Sequence, residues 1–66
     1  MKIGKIYSLI NQDIGYIIDE KKELYLFFLT DFIDDTKIEV NTLVKFNASI
    51  SNDVKRATYI CKYNID

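Results

Sequence analysis

The sequence of 66 residues contains no histidine, tryptophan or proline, only one cysteine and only two glycines. Without histidine, the thiol of Cys61 has no imidazole base, which excludes the usual cysteine–histidine nucleophile. A single cysteine also excludes an intramolecular disulfide and a zinc site built from cysteine ligands. There is no phosphate-cradling glycine loop and no carboxylate pair in a pocket-forming motif. The sequence therefore predicts a protein that is not an enzyme.

Neither sign of charge dominates, because 9 basic and 10 acidic residues leave a net charge of −1. Such a chain cannot depend mainly on phosphate attraction, so any nucleic acid would have to be held through its bases. The amino terminus has no secretory pattern, and no apolar run approaches the roughly 20 residues of a membrane span. We therefore expect a cytoplasmic protein without membrane association.

Hydrophobic residues make up 48% of the chain and aromatic residues 14%, which predicts a packed core. At this length we expect a single domain, residues 1–66. Clusters of Asn, Asp and Lys separate five runs rich in β-branched and aromatic residues, at 3–10, 14–18, 24–29, 42–50 and 58–63. This spacing predicts an all-β protein with five short strands in a closed or nearly closed sheet. Residues 30–34 have the composition of one helical turn, with Thr30 as its cap.

The fourth run alternates clearly, with Val44, Phe46, Ala48 and Ile50 on one face and polar residues on the other. The third run is apolar on both faces, and a small barrel has room inside for only one of its two sets. We expect the leucines of this run to point inward. The predicted core is Ile6, Ile17, Leu24, Leu26, Val44, Phe46 and Ile60.

Several segments resemble the cold-shock domain family. Leu24-Tyr25-Leu26-Phe27-Phe28 is similar to the V-F-V-H-F of the family's third strand, and Ile14-Gly15-Tyr16-Ile17 to the second half of its K-G-F-G-F-I. The first run resembles G-T-V-K-W-F, with either Tyr7 or Ser8 at the tryptophan position; Tyr7 retains a ring. Residues 38–46 resemble L-K-E-G-Q-x-V-x-F, with Asn41 at the turn glycine.

The resemblance implies an antiparallel five-stranded barrel of the oligonucleotide-binding (OB) type, without a cofactor. It also implies binding of single-stranded RNA or DNA, in some members as an RNA chaperone. Its register turns a set of rings outward as a platform for stacked bases. The nucleic-acid-binding residues predicted in this way are Tyr7, Tyr16, Tyr25, Phe27 and Phe28, with Lys5, Lys55 and Arg56 at the rim.

A protein-interaction domain is the alternative. The same aromatic face would then contact a protein partner or a second copy in a homodimer, because exposed apolar patches also mark protein contacts. The loss of basic residues favours this alternative. Asp31, Asp34 and Asp35 lack the spacing of a calcium loop, so we expect no metal site.

Overall fold

A computed structural model describes residues 1–64, and most of them lie in five strands. The strands are β1 (Lys2–Leu9), β2 (Ile14–Asp19), β3 (Leu24–Phe28), β4 (Leu43–Ser51) and β5 (Val54–Lys62). The all-β prediction is confirmed. β5 begins earlier than residue 58, because Asn52 and Asp53 alone form the preceding turn. Their φ angles of 51° and 65° are those of a type I′ hairpin turn.

All five strands belong to one sheet, whose order β1-β2-β3-β5-β4 closes on itself because β4 also pairs with β1. Four of the five pairings are antiparallel. The expectation of a wholly antiparallel sheet is wrong for the fifth, where β3 and β5 run parallel and Leu26 pairs with Arg56. The reason is the long connection after β3, which carries the chain across to β1 before β4 begins.

The core consists of eight buried side chains inside this closed sheet, and β1 to β5 all contribute. Five of the seven predicted core residues are confirmed: Ile6, Ile17, Val44, Phe46 and Ile60. The predictions for Leu24 and Leu26 are wrong, since Leu24 is 42% exposed and Leu26 is half-buried. The remaining core residues are Tyr25, Phe27 and Ala57.

The inward alternation of β4 stops at Phe46. Ala48 and Ile50 share its parity but are exposed, Ile50 by 70%. β1 pairs with β4 only from Leu43 to Phe46. The second half of β4 therefore pairs only with β5 among the described residues, and this end of the β4–β5 hairpin projects beyond β1.

Two connections position the strands. A 3-10 turn at Leu29–Asp31 follows β3, so the predicted helical turn is present but starts earlier, and Thr30 lies inside it instead of capping it. Before β4, Asn41 has a φ of 76°, the left-handed conformation that Asn tolerates better than most residues. The Asn41 N–H donates to the Ile6 carbonyl at 2.7 Å, which ties this loop to β1.

Candidate nucleic-acid interface

The outward side of β2 and β3 carries a continuous apolar surface. Alternate residues of the two strands pair directly across it: Ile14 with Phe28, Tyr16 with Leu26, and Ile18 with Leu24. Five of the six are half-buried and Leu24 is exposed. We call these six residues the β2–β3 face. Of these six, only Tyr16 and Phe28 are predicted from the sequence as surface residues, since the same pattern predicts Leu24 and Leu26 in the core.

Tyr25 and Phe27 do not belong to this surface, which corrects the predicted platform. They are 3% and 1% exposed, and their rings lie in the core. The Tyr25 ring packs on Phe46, with 5.2 Å between centroids, and the Phe27 ring meets Phe32 edge-on at 5.5 Å. A base cannot reach either ring without opening the sheet.

Gly15 explains the position of Phe27. The two residues are paired on β2 and β3, and the Phe27 ring occupies the space above the glycine. A Cβ on Gly15 would lie 2.7 Å from a Phe27 ring carbon and 2.6 Å from the Ser8 carbonyl oxygen. A glycine inside a strand commonly marks such a close approach. This was a signal in the sequence that Phe27 points inward.

Tyr25 is held inward by a buried polar contact. Its hydroxyl donates to Oδ2 of Asp19 at 3.0 Å, and Asp19 is only 7% exposed. Oδ1 of Asp19 accepts the N–H groups of Lys21 and Glu23, at 2.9 and 3.0 Å, and so closes the turn between β2 and β3. Burial, and then the hydrogen bond to Asp19, raise the pKa of Tyr25 to about 12.

The Asp19 carboxylate stays charged in this site. Burial raises its pKa, but the N–H of Glu23, the Tyr25 hydroxyl and the N–H of Lys21 together outweigh burial and bring the pKa below its usual range. The Lys2 ammonium, 3.7 Å from Oδ2, acts in the same direction. This charged anchor lies beneath the sheet end that carries Ile18 and Leu24.

Arg56 covers part of the β2–β3 face. Its guanidinium carbon lies 4.5 Å from the centroid of the Phe28 ring, a cation–π contact. Nη2 of Arg56 also donates to Oδ2 of Asp31 at 3.0 Å, and the same oxygen accepts the Phe28 N–H at 2.8 Å. Asp31 therefore fixes both the backbone of Phe28 and the Arg56 guanidinium that stacks on the Phe28 ring.

The two other predicted rim residues border this surface at different strands, Lys5 on β1 next to β2 and Lys55 on β5 next to β3. Lys55 is paired with Glu23 at 3.0 Å, and this contact lowers the pKa of Glu23. Lys5 pairs with Ile18 across β1 and β2, and both line a shallow cleft with Tyr7, which is 51% exposed. Lys5, Tyr7, Tyr16, Phe28 and Arg56 thus all lie on the outer side of the closed sheet.

A bulge in β1 gives the two candidates for the tryptophan position different surroundings. Ile6 pairs with Ile17 and Ser8 with Tyr16, so Tyr7 is the extra residue. Ser8, without a ring, is the direct neighbour of Tyr16. Tyr7 lies displaced toward the end of the sheet that carries Lys5.

The acidic loop after β3 makes structural contacts. Asp34 accepts hydrogen bonds from the hydroxyl of Thr36 and from the Lys62 N–H, and both lower its pKa. Within residues 1–64 no three His, Cys, Asp or Glu side chains are grouped closely enough to hold a metal ion.

The chain matches no model of a known protein family, and no curated protein matches it significantly. Over the described part of the chain, no helix has the length and apolar character to cross a membrane.

Proposed function

We propose that this chain is an OB-type domain that binds single-stranded RNA or DNA on the β2–β3 face. Two observations support this. The strand order β1-β2-β3-β5-β4 with β3 parallel to β5 agrees with a five-stranded OB barrel. Such barrels bind oligonucleotides on the face of their second and third strands. The third-strand similarity to cold-shock domains does not contribute, because β3 has the opposite parity to the one it implied.

The observation that carries the proposal is the apolar surface itself, in which two aromatic rings lie among four aliphatic side chains. Tyr16 offers a ring on β2, and Phe28 offers one on β3 beneath the Arg56 guanidinium. Splayed bases stack on aromatic rings and on guanidinium planes, whereas the bases of a duplex cannot reach them. Ile14 pairs with Phe28 and Leu26 with Tyr16, and both contribute apolar contact beside the rings.

Electrostatics give the proposed complex a weak salt dependence. Of the three cations predicted at this surface, Lys55 and Arg56 are already paired with Glu23 and Asp31, so they are less able to release counterions from a nucleic acid. Each phosphate contact on a single strand contributes about −0.7 to the slope of log K against log salt. A slope near −2 or shallower is therefore expected.

Protein binding is the second candidate, and the composition of the β2–β3 face favours it. Four of its six residues are aliphatic, and Leu24 and Leu26 add apolar surface without a flat ring. A face of this kind also suits a protein partner or a second copy.

A titration with labelled oligo-dT and oligo-U separates the two candidates. Saturable binding is expected, and Tyr16→Ala should weaken it by about 1–3 kcal/mol with little loss of stability. Tyr59→Asn is the matched control, since it removes an exposed ring outside the β2–β3 face and Asn accepts the φ of 50° found there. Absence of binding by the wild type at roughly 100 μM strand would contradict the proposal and favour protein binding.

A further inference from the structure

Two shallow clefts continue the β2–β3 face past its Ile18 end, toward β1. Both clefts are lined by Ile18, which belongs to the face, and by Lys5 of β1, which pairs with Ile18. One cleft is also lined by Lys21 and the other by Lys22. We call Lys5, Lys21 and Lys22 the lysine margin. A nucleic-acid strand that lies on the face and extends beyond Ile18 would meet all three.

The lysine margin carries charge that other side chains do not neutralise. Its three lysines are exposed, and none forms an ion pair with a carboxylate among residues 1–64. On the β5 side of the face, Lys55 and Arg56 are already paired with Glu23 and Asp31. The cations that remain available to phosphate therefore lie on the β1 side, although the whole chain has a net charge of −1.

Two carboxylates also line both clefts, and they differ in how far they oppose an anion. Asp19 is 7% exposed, and two backbone N–H groups, the Tyr25 hydroxyl and the Lys2 ammonium compensate its charge. Glu20 is exposed and has no basic partner among the described residues. The three ammonium groups of the lysine margin thus outnumber the one uncompensated carboxylate, and the local balance favours an anion.

The turn between β2 and β3 holds two of these lysines in place. Oδ1 of Asp19 accepts the Lys21 N–H at 2.9 Å, and the Asp19 carbonyl accepts the Lys22 N–H at 3.0 Å. Lys22 has a φ of 69°, a left-handed conformation that Gly or Asn adopts more readily than Lys. Strained backbone that the surrounding structure maintains is found often at binding sites. The turn therefore presents both ammonium groups from a fixed backbone.

We propose that the phosphates of a bound single strand follow the lysine margin while its bases lie on the β2–β3 face. This inference rests on the proposed function and adds the path of the strand's backbone to it. Three phosphate contacts, at about −0.7 each, account for a slope of log K against log salt near −2. The paired cations on the β5 side contribute little to that slope.

Salt titrations of oligo-dT binding, followed by fluorescence anisotropy, test this path. Lys5→Gln and Lys22→Asn should each weaken binding at low salt and reduce the magnitude of the slope by about 0.7. Their affinities should approach that of the wild type at about 1 M salt, where charges are screened within about 3 Å. Lys22→Asn should be at least as stable as the wild type in urea, because Asn tolerates the φ at this position.

Lys62→Gln is the charge-matched control. It removes one ammonium group from the end of β5, where Lys62 pairs with Val44 of β4, and should leave the slope unchanged. Glu20→Gln reverses the sign of the test, because it removes the uncompensated carboxylate and should strengthen binding at low salt.

Two kinds of failure are distinguishable. If the wild type binds but Lys5→Gln and Lys22→Asn leave the slope unchanged, or if Lys62→Gln reduces it equally, the proposed path is overturned and binding on the β2–β3 face is not. A wild type that binds no strand at roughly 100 μM would contradict the proposed function itself, and the path with it.

Discussion

The two sides of β3 are equally apolar but differ in what holds them. Tyr25 and Phe27 point inward, where Asp19 accepts the tyrosine hydroxyl and Gly15 leaves space for the phenylalanine ring. Leu26 and Phe28 point outward, where the Arg56 guanidinium lies on the Phe28 ring. In a strand that is apolar on both sides, shape and polar complementarity on the neighbouring strand therefore select the inward set, and hydrophobicity alone does not.

The largest difference between the two sides is expected in stability. Phe27→Ala should lower the free energy of unfolding by about 3–5 kcal/mol, because it leaves a cavity in the core. Phe28→Ala should lower it by only about 1 kcal/mol, since this ring is half-buried. Urea unfolding followed by circular dichroism measures both. If Phe27→Ala kept its stability while Phe28→Ala unfolded, the inward and outward assignments would be reversed.

Gly15→Ala tests the contact that directs Phe27 inward. The added Cβ would overlap the Phe27 ring and the Ser8 carbonyl, so a loss of about 1–3 kcal/mol is expected from overpacking. In the double variant with Phe27→Leu, part of that loss should disappear, because the smaller side chain makes room. Strictly additive losses in this double-mutant cycle would show that Gly15 and Phe27 are not coupled.

High pH tests the polar anchor. The folded pKa of Tyr25 is about 12, and an unfolded tyrosine titrates near 10. Between these values the unfolded chain binds fewer protons than the folded chain, so stability should fall as pH rises from 10 to 12. Tyr25→Phe has no hydroxyl to titrate, so its stability should fall less steeply over this pH range. Parallel stability curves for the two proteins would mean that the hydroxyl is neither buried nor held by Asp19 in solution.

The smallest expected effect concerns the outward side, where Arg56 lies on Phe28. If a base stacks on the guanidinium, Arg56→Lys should weaken single-strand binding by about 1 kcal/mol, because it keeps the charge but loses the plane. If Arg56 only covers the ring, Arg56→Lys should strengthen binding. Weakening is expected, and fluorescence anisotropy of a labelled oligonucleotide measures it.

Most of the fold follows from the sequence because β1 to β4 carry clear alternation and turn signals. The alternation of Val44 and Phe46 and the turn at Asn41 are examples. Two features depend on contacts between residues that are distant in sequence. They are the closure of the sheet through β3 and β5, and the point at which β1 stops covering β4 and leaves Ile50 exposed. Neither depends on local pattern.

The candidate site was predicted only in part, for a similar reason. Tyr16 and Phe28 follow from alternation along their own strands. The inward position of Tyr25 depends on a carboxylate six residues earlier, Asp19, which the sequence presents as an ordinary turn residue. The pairing of Arg56 with Asp31 spans 25 positions and has no local signal.

An NMR titration of the ¹⁵N-labelled protein with oligo-dT most directly tests the claim that the outward side of β2 and β3 binds single strands. Amide and side-chain shifts should change at Ile14, Tyr16, Leu26, Phe28 and the Arg56 side chain. The projecting hairpin should change little at Ser49. Shift changes concentrated on the hairpin, or none at roughly 100 μM oligonucleotide, would contradict the proposed binding face.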